Sequence, residues 1–110
     1  MKVLNITRQT ILAEDLKEAK NWQDRWFGLL KKSNPRVLLF QTRFGIHTLG
    51  LKTPIDVLVL DDNLKVVKLA RVKPGKLFLW NPRFGVVIEL PAETIKNSKT
   101  KIGDQLVLTK

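Results

Sequence analysis

Six residues, Ile55-Asp56-Val57-Leu58-Val59-Leu60, are apolar at every position but one. A run this short, rich in β-branched residues and apolar on both faces, reads as a strand covered from each side. Pro54, which cannot donate a ladder hydrogen bond, suits its start. Asp61-Asp62-Asn63 then supplies a turn, and Leu64-Lys65-Val66-Val67-Lys68-Leu69 returns as the hairpin partner. A strand buried on two faces needs a layer above and a layer below. The rest of the chain has to provide them.

Residues 2–8 alternate loosely around Val3, Leu4 and Ile6 and predict a first strand. From about 14 to 32, Leu16, Ala19, Trp22, Trp26, Leu29 and Leu30 recur at helical spacing, which predicts one amphipathic helix. Its acids, Glu14 and Asp15, come first and Lys31 and Lys32 last, as the helix dipole favours; Asn34-Pro35 ends it. Arg36 to Phe40 predicts a buried strand, and Ile46 to Leu51 a further apolar segment. Lys73-Pro74-Gly75-Lys76 and Asn81-Pro82-Arg83 are turns flanking a strand over 77–80, with another over 84–90. Pro91 to Ile95 suits one helical turn with proline first, and Gln105 to Leu108 closes the chain as a strand. The expected fold is α+β: a small, largely antiparallel, barrel-like β-sheet capped by the N-terminal helix at about 14–32.

With 110 residues the chain reads as one domain, 1–110. It has no cysteine and one histidine. That excludes disulfides, thiolate zinc sites and a cysteine nucleophile, and leaves little for a histidine-based metal centre. No cofactor motif is present. The first residues lack the continuous apolar core of a signal peptide, and no run approaches the roughly 18 apolar residues of a membrane span. A soluble cytoplasmic protein is expected.

From residue 44 onward the sequence begins to resemble a known family. His47-Thr48, Pro54-Ile55-Asp56, Leu60-Asp61, Val66-Val67, Ile88-Glu89-Leu90-Pro91-Ala92 and Ile102-Gly103-Asp104 stand in the order and spacing of a widespread prokaryotic family of uncharacterised conserved proteins, domain of unknown function 192. Arg25-Trp26-Phe27-Gly28-Leu29 looks like that family's Arg-x-x-Gly-Leu element. The resemblance spans about 20 to 108 and implies a compact α+β domain, with no established reaction. Two positions depart from the pattern: Leu51 stands where methionine is common, and Glu93 where glycine follows the alanine. If that glycine served a special backbone angle, the turn here must differ.

Three polar residues lodge in or beside apolar strands: His47, Asp56 and Glu89. One reading joins them in a polar pocket, with His47 as proton acceptor or ligand contact and the acids orienting it. The other, which we favour, has each satisfied structurally: Asp56 by backbone N–H groups near Pro54, Glu89 by a cation such as Arg71. No nucleophile elbow, Walker loop or zinc-protease helix motif supports catalysis. Asp61, Asp62, Asn63 and Asp104 lack the spacing of a calcium loop.

The formal charge is +10, and its pattern is uneven. Residues 25–55 hold six cations and no acid, and so do residues 63–88. Arg71, Lys73, Lys76 and Arg83 form the candidate basic patch, and Lys96, Lys99 and Lys101 add a cluster. Trp80 and Phe84 beside Arg83 could stack on a base, or could pack under their own hairpin. Trp22 and Trp26, at helical spacing, fit core anchors better than a stacking platform. Such charge suits polyanionic partners or plain solubility, and no recognised nucleic-acid module accompanies it. The first functional expectation is a non-catalytic binding or accessory protein for an unknown ligand or protein. Electrostatic nucleic-acid binding comes second, and an enzyme with a His47/Asp56/Glu89 pocket third.

Overall fold

The computed structural model describes residues 1–19 and 37–110. Near the N-terminus lie β1 (Lys2–Asn5), β2 (Thr10–Ala13) and β3 (Leu16–Glu18). The middle of the chain forms β4 (Val37–Gln41), β5 (Gly45–His47), β6 (Ile55–Leu60), β7 (Val66–Val72) and β8 (Leu77–Leu79). It ends with β9 (Val86–Pro91), the short helix α1 (Thr94–Ser98) and β10 (Leu106–Thr109).

The strands make three layers. A five-stranded sheet, β3-β4-β9-β6-β7, lies in the middle and is antiparallel except where β3 runs parallel to β4. As the apolar run requires, every residue of β6 is buried. Leu58, Leu60, Ile88 and Leu90 face one way, against Val3, Leu12 and Leu106 of a three-stranded sheet β10-β1-β2. Val57, Val59, Val87 and Phe40 face the other way, against Ile46 and Trp80 beside the two-stranded ribbon β5-β8. Full burial of each such leucine, isoleucine or valine stabilises by roughly 1.5–3 kcal/mol relative to exposure. The two clusters hold the middle sheet from both sides.

The β6–β7 hairpin forms as expected, with Asp56 opposite Arg71 and Leu58 opposite Leu69. Asp61 builds its turn: Oδ1 accepts from the N–H groups of Asn63 and Lys65, both at 2.9 Å. The register slips between Val59 and Leu60, which leaves Val67 as an extra residue on the return strand.

Two expectations are corrected. The strand orders are open, and no closed barrel forms among the described residues; a Lys65–Gln105 bridge links the sheets at one corner, while the hydrophobic faces stack as layers. The start of the helix expected at about 14–32 is strand β3. Leu16 joins the first core cluster and Ala19 the second. They serve opposite faces of the middle sheet, which one face of a helix cannot do. Residues 20–36, which hold most of that expected helix with Trp22 and Trp26, lie outside the described residues. The helix among the described residues is α1, in the C-terminal part.

Candidate functional site

Asp56 is buried on the face of β6 that carries Leu58 and Leu60. Its Oδ2 accepts the Ile95 N–H of α1 at 2.8 Å, and its Oδ1 stands 3.6 Å from Arg71 Nε. Arg71 Nη2 in turn donates to Glu93 Oε1 at 2.8 Å. Both carboxylate oxygens of Asp56 are thus engaged, one fastening α1 to β6 and the other beside Arg71 of the neighbouring strand β7. The backbone donor it binds belongs to α1, not to the chain near Pro54.

Glu89 is fully buried and pairs with Val57 on one side and Leu38 on the other. Side chains alternate along a strand, so Glu89 points with Val57 into the second cluster while Asp56 points into the first. The two acids face opposite sides of one sheet. Arg71 lies on the Asp56 side, so it serves Asp56 and not Glu89.

His47 ends β5, opposite Leu77. With Ile46 turned into the second cluster, alternation carries His47 to the outer side of the ribbon, where its Nδ1 accepts from Leu49 N–H at 3.3 Å. Its neighbour Thr48 is fully buried. Thr48 Oγ1 donates to Lys73 O at 2.6 Å and accepts from Lys76 N–H at 2.9 Å, while Thr48 O accepts from Gly75 N–H. That hydroxyl pins the 73–76 turn to the ribbon.

The four residues of the expected basic patch separate. Lys73 and Lys76 flank the turn held by Thr48, and Arg83 sits on the turn at the ribbon's other end, where Arg43 Nη1 donates to Pro82 O and Arg83 O. Arg71 belongs to the opposite face and is paired. Between the two turns the ribbon exposes Phe44, Leu49, Leu77 and Leu79. Trp80 is no stacking platform: it is buried, and its Nε1–H donates to Phe84 O at 2.8 Å. Arg83 lies over the Phe84 ring at 5.8 Å.

A further constellation went unread in the sequence. Asn5, Ser98, Thr100 and Asp104 are buried together where the β1–β2 turn meets the end of α1. Asn5 Nδ2 donates to Thr100 Oγ1 at 3.1 Å and to Asp104 Oδ2 at 3.0 Å, and the Ser98 and Thr100 hydroxyls bond at 2.7 Å. Asp104 Oδ2 also accepts from Arg8 Nε and from Lys101 N–H, both at 2.9 Å. Burial alone would push the Asp104 carboxyl up; these side-chain and backbone donors more than offset it and hold the pKa at about 2. Above this base opens a cleft of about 400 Å³ lined by Arg8, Ile95, Lys96, Lys99, Thr100 and Lys101. The lysine cluster was visible in the sequence. Arg8, nearly a chain length away, was not.

Among the described residues no three histidine, cysteine or acidic side chains converge to hold a metal ion, and no helix is long and apolar enough to cross a membrane. No protein-family model matches the chain. The chain is similar to UPF0127 proteins of three Pyrococcus species. It is 28% identical to that of Pyrococcus furiosus over 94% of this chain and 95% of the relative. It is 26% identical to that of Pyrococcus horikoshii over 94% and 96%, and 30% identical to that of Pyrococcus abyssi over 80% of each. Two crystal structures share the fold. A protein of unknown function from Novosphingobium aromaticivorans superposes with a TM-score of 0.77 at 14% identity, over 97% of this chain and 82% of that one. A Sinorhizobium meliloti protein, provisionally named a transcription regulator, gives 0.74 at 17% identity over 96% and 89%.

Proposed function

The chain belongs to the UPF0127 family, an uncharacterised conserved prokaryotic family, and from that premise we propose that it is a non-catalytic binding or accessory domain for an anionic ligand. We read the domain of unknown function 192 pattern as a second label for the same family. Its motif positions, from His47-Thr48 to Ile102-Gly103-Asp104, fall within a chain aligned to relatives over 94% of its length. We further take the chain to act as one cytoplasmic domain.

The placement of the acids carries this reading. Asp56 and Glu89 serve opposite faces of the middle sheet, and Asp56 has both oxygens engaged in holding the fold. A general acid or base needs reach to a substrate, and these two acids are buried at 0–1% exposure, whereas Lys73, Lys76, Lys96, Lys99 and Lys101 stand exposed. The test is to screen small anions and nucleic acids by thermal shift, then follow each binder by proton NMR during prolonged incubation with the protein. The binder is expected to remain unchanged. A product that forms with the protein, and fails to form with a folded His47→Ala variant, would overturn the reading.

Electrostatic binding of nucleic acid is the second reading, favoured by Lys73, Lys76 and Arg83 around the exposed apolar side chains of the ribbon. Neutralising several phosphates would make affinity fall steeply with salt. Titration with mixed-sequence single-stranded and duplex nucleic acid from low ionic strength upward measures that slope. No binding, or a flat slope, would remove the second reading.

A further inference from the structure

We infer that the cleft between the β1–β2 turn and the end of α1 binds a small ligand through a phosphate group. The inference rests on the reading of this protein as an anion-binding domain and adds where the ligand sits and what it carries.

Four cations line the cleft, Arg8, Lys96, Lys99 and Lys101, and no carboxylate does. The one acid against it, Asp104, lies buried behind Arg8 and is already engaged by Arg8, Asn5 and Lys101. The cations therefore outnumber the local negative charge, which matches a compact dianion better than a single carboxylate.

Arg8 is the oriented member. Asp104 binds its Nε, and the Arg8 N–H donates to Asn5 Oδ1 at 3.0 Å. Nη1 and Nη2 have no protein partner among the described residues, and the side chain is 36% exposed. A guanidinium held by one nitrogen presents the other two as a fork for phosphate oxygens. Its low-pKa partner keeps that geometry throughout the physiological range.

The lysines are not needed to finish the helix. At the end of α1, Lys96 O accepts from Lys99 N–H, Ile95 O from Thr100 N–H and Ser98 O from the Thr10 hydroxyl. The ammonium groups of Lys96, Lys99 and Lys101 have no carboxylate partner among the described residues. Lys99 adopts a left-handed backbone, φ 59°, which turns the chain sharply and sets Lys96, Lys99 and Lys101 around one opening. Ile95 adds an apolar wall. A cleft of about 400 Å³ falls within the roughly 300–1,000 Å³ of small-molecule sites, so it has room for a body beyond the phosphate.

The test follows backbone amide shifts during titration with inorganic phosphate, then phenyl phosphate, at constant ionic strength set with chloride. Saturable shifts are expected at Lys99, Thr100 and Lys101, with phenyl phosphate binding more tightly than phosphate. Lys99→Gln/Lys101→Gln, which leaves Arg8, Asp104 and the buried base in place, should weaken binding about tenfold or more. Arg8→Lys keeps the charge and should weaken it several-fold through loss of the fork. Lys73→Gln/Lys76→Gln on the distant ribbon should stay within about twofold, because that turn lies across the molecule from the cleft. No saturable shift, or equal weakening by the ribbon variant, overturns the site. Saturable shifts confined to the ribbon overturn the site and leave the broader binding reading standing. Hydrolysis of phenyl phosphate bound in the cleft would do the reverse. A mixed-sequence oligonucleotide that moves the same amides at lower concentration than phenyl phosphate would overturn the assignment to a small ligand.

Discussion

Arg71 reaches from β7 to the start of α1 and donates from Nη2 to Glu93 Oε1 at 2.8 Å, while Glu93 holds a left-handed backbone at φ 81°. The turn keeps the angle a glycine would take freely, and a glutamate occupies it with an arginine partner. The angle costs a side-chain-bearing residue roughly 1–2 kcal/mol, and a half-exposed ion pair returns about 1 kcal/mol at most. Glu93→Gly should therefore lie within about 1 kcal/mol of the parent, since relief of strain is set against a freer unfolded chain and the lost pair. Glu93→Ala, which keeps the strain and loses the pair, should be about 0.5–1 kcal/mol less stable. Urea unfolding of both variants measures the order; an alanine variant more stable than the glycine one would contradict the argument.

Asp56→Ala should cost about 2–4 kcal/mol, because it removes the buried acceptor of the half-buried Ile95 N–H and the anion beside Arg71. Asp56→Asn keeps an acceptor for Ile95 and should cost roughly half as much. Amide exchange separates this role from a merely local one. In Asp56→Ala the protection of α1 should fall further than that of β4. If α1 keeps its protection, the carboxylate does not anchor the helix.

The β6–β7 hairpin was readable because its signals are local: an apolar run, a turn triplet and a return strand. The helical turn expected over 91–95 is displaced: Pro91 ends β9, and α1 spans Thr94–Ser98, sharing only Thr94 and Ile95 with that expectation. What escaped was set by distant pairing. Leu16 and Ala19 fit a helical period, yet they supply two different cores once Leu16 pairs with Val37. Asp56 and Glu89 look alike in sequence, and only the strand register sends them to opposite faces. The cleft joins Arg8 to Lys101 across almost the whole chain through Asp104 and Asn5, and no periodicity records such a contact.

Asp104 makes stability sensitive to acid. Its folded pKa is about 2, against an ordinary value of 3.8. As pH falls, the unfolded chain takes up this proton near the ordinary value while the folded protein resists until about 2. The unfolded state thus binds more protons across that interval, so stability rises with pH there and is lost as pH drops through it. Urea unfolding between pH 5 and pH 2 should show this loss, and Asp104→Asn should show a shallower one from a lower starting stability. An unchanged slope in that variant would place the acid sensitivity elsewhere.

The β5–β8 ribbon depends on one close approach. A Cβ at Gly45 would lie 2.5 Å from Leu79 Cδ2 and 2.6 Å from Phe78 O, in the strand directly opposite. The leucine side chain could rotate; the carbonyl belongs to the ladder and could move only with β8. Gly45→Ala should therefore cost about 1–3 kcal/mol and separate the strands at this end. Because Thr48 still pins the other end through Lys73 and Lys76, amide exchange should quicken near Trp80, whose N–H donates to Phe44 O, before it quickens at Lys76. Gly85→Ala is the control: the nearest atoms to its added Cβ would belong to the Arg43 side chain, at 3.4 Å and not to backbone, and it should cost less than about 1 kcal/mol. Equal losses in the two variants would mean that the ribbon tolerates a methyl group at Gly45 by shifting as a whole, and that its register is set by Thr48 alone.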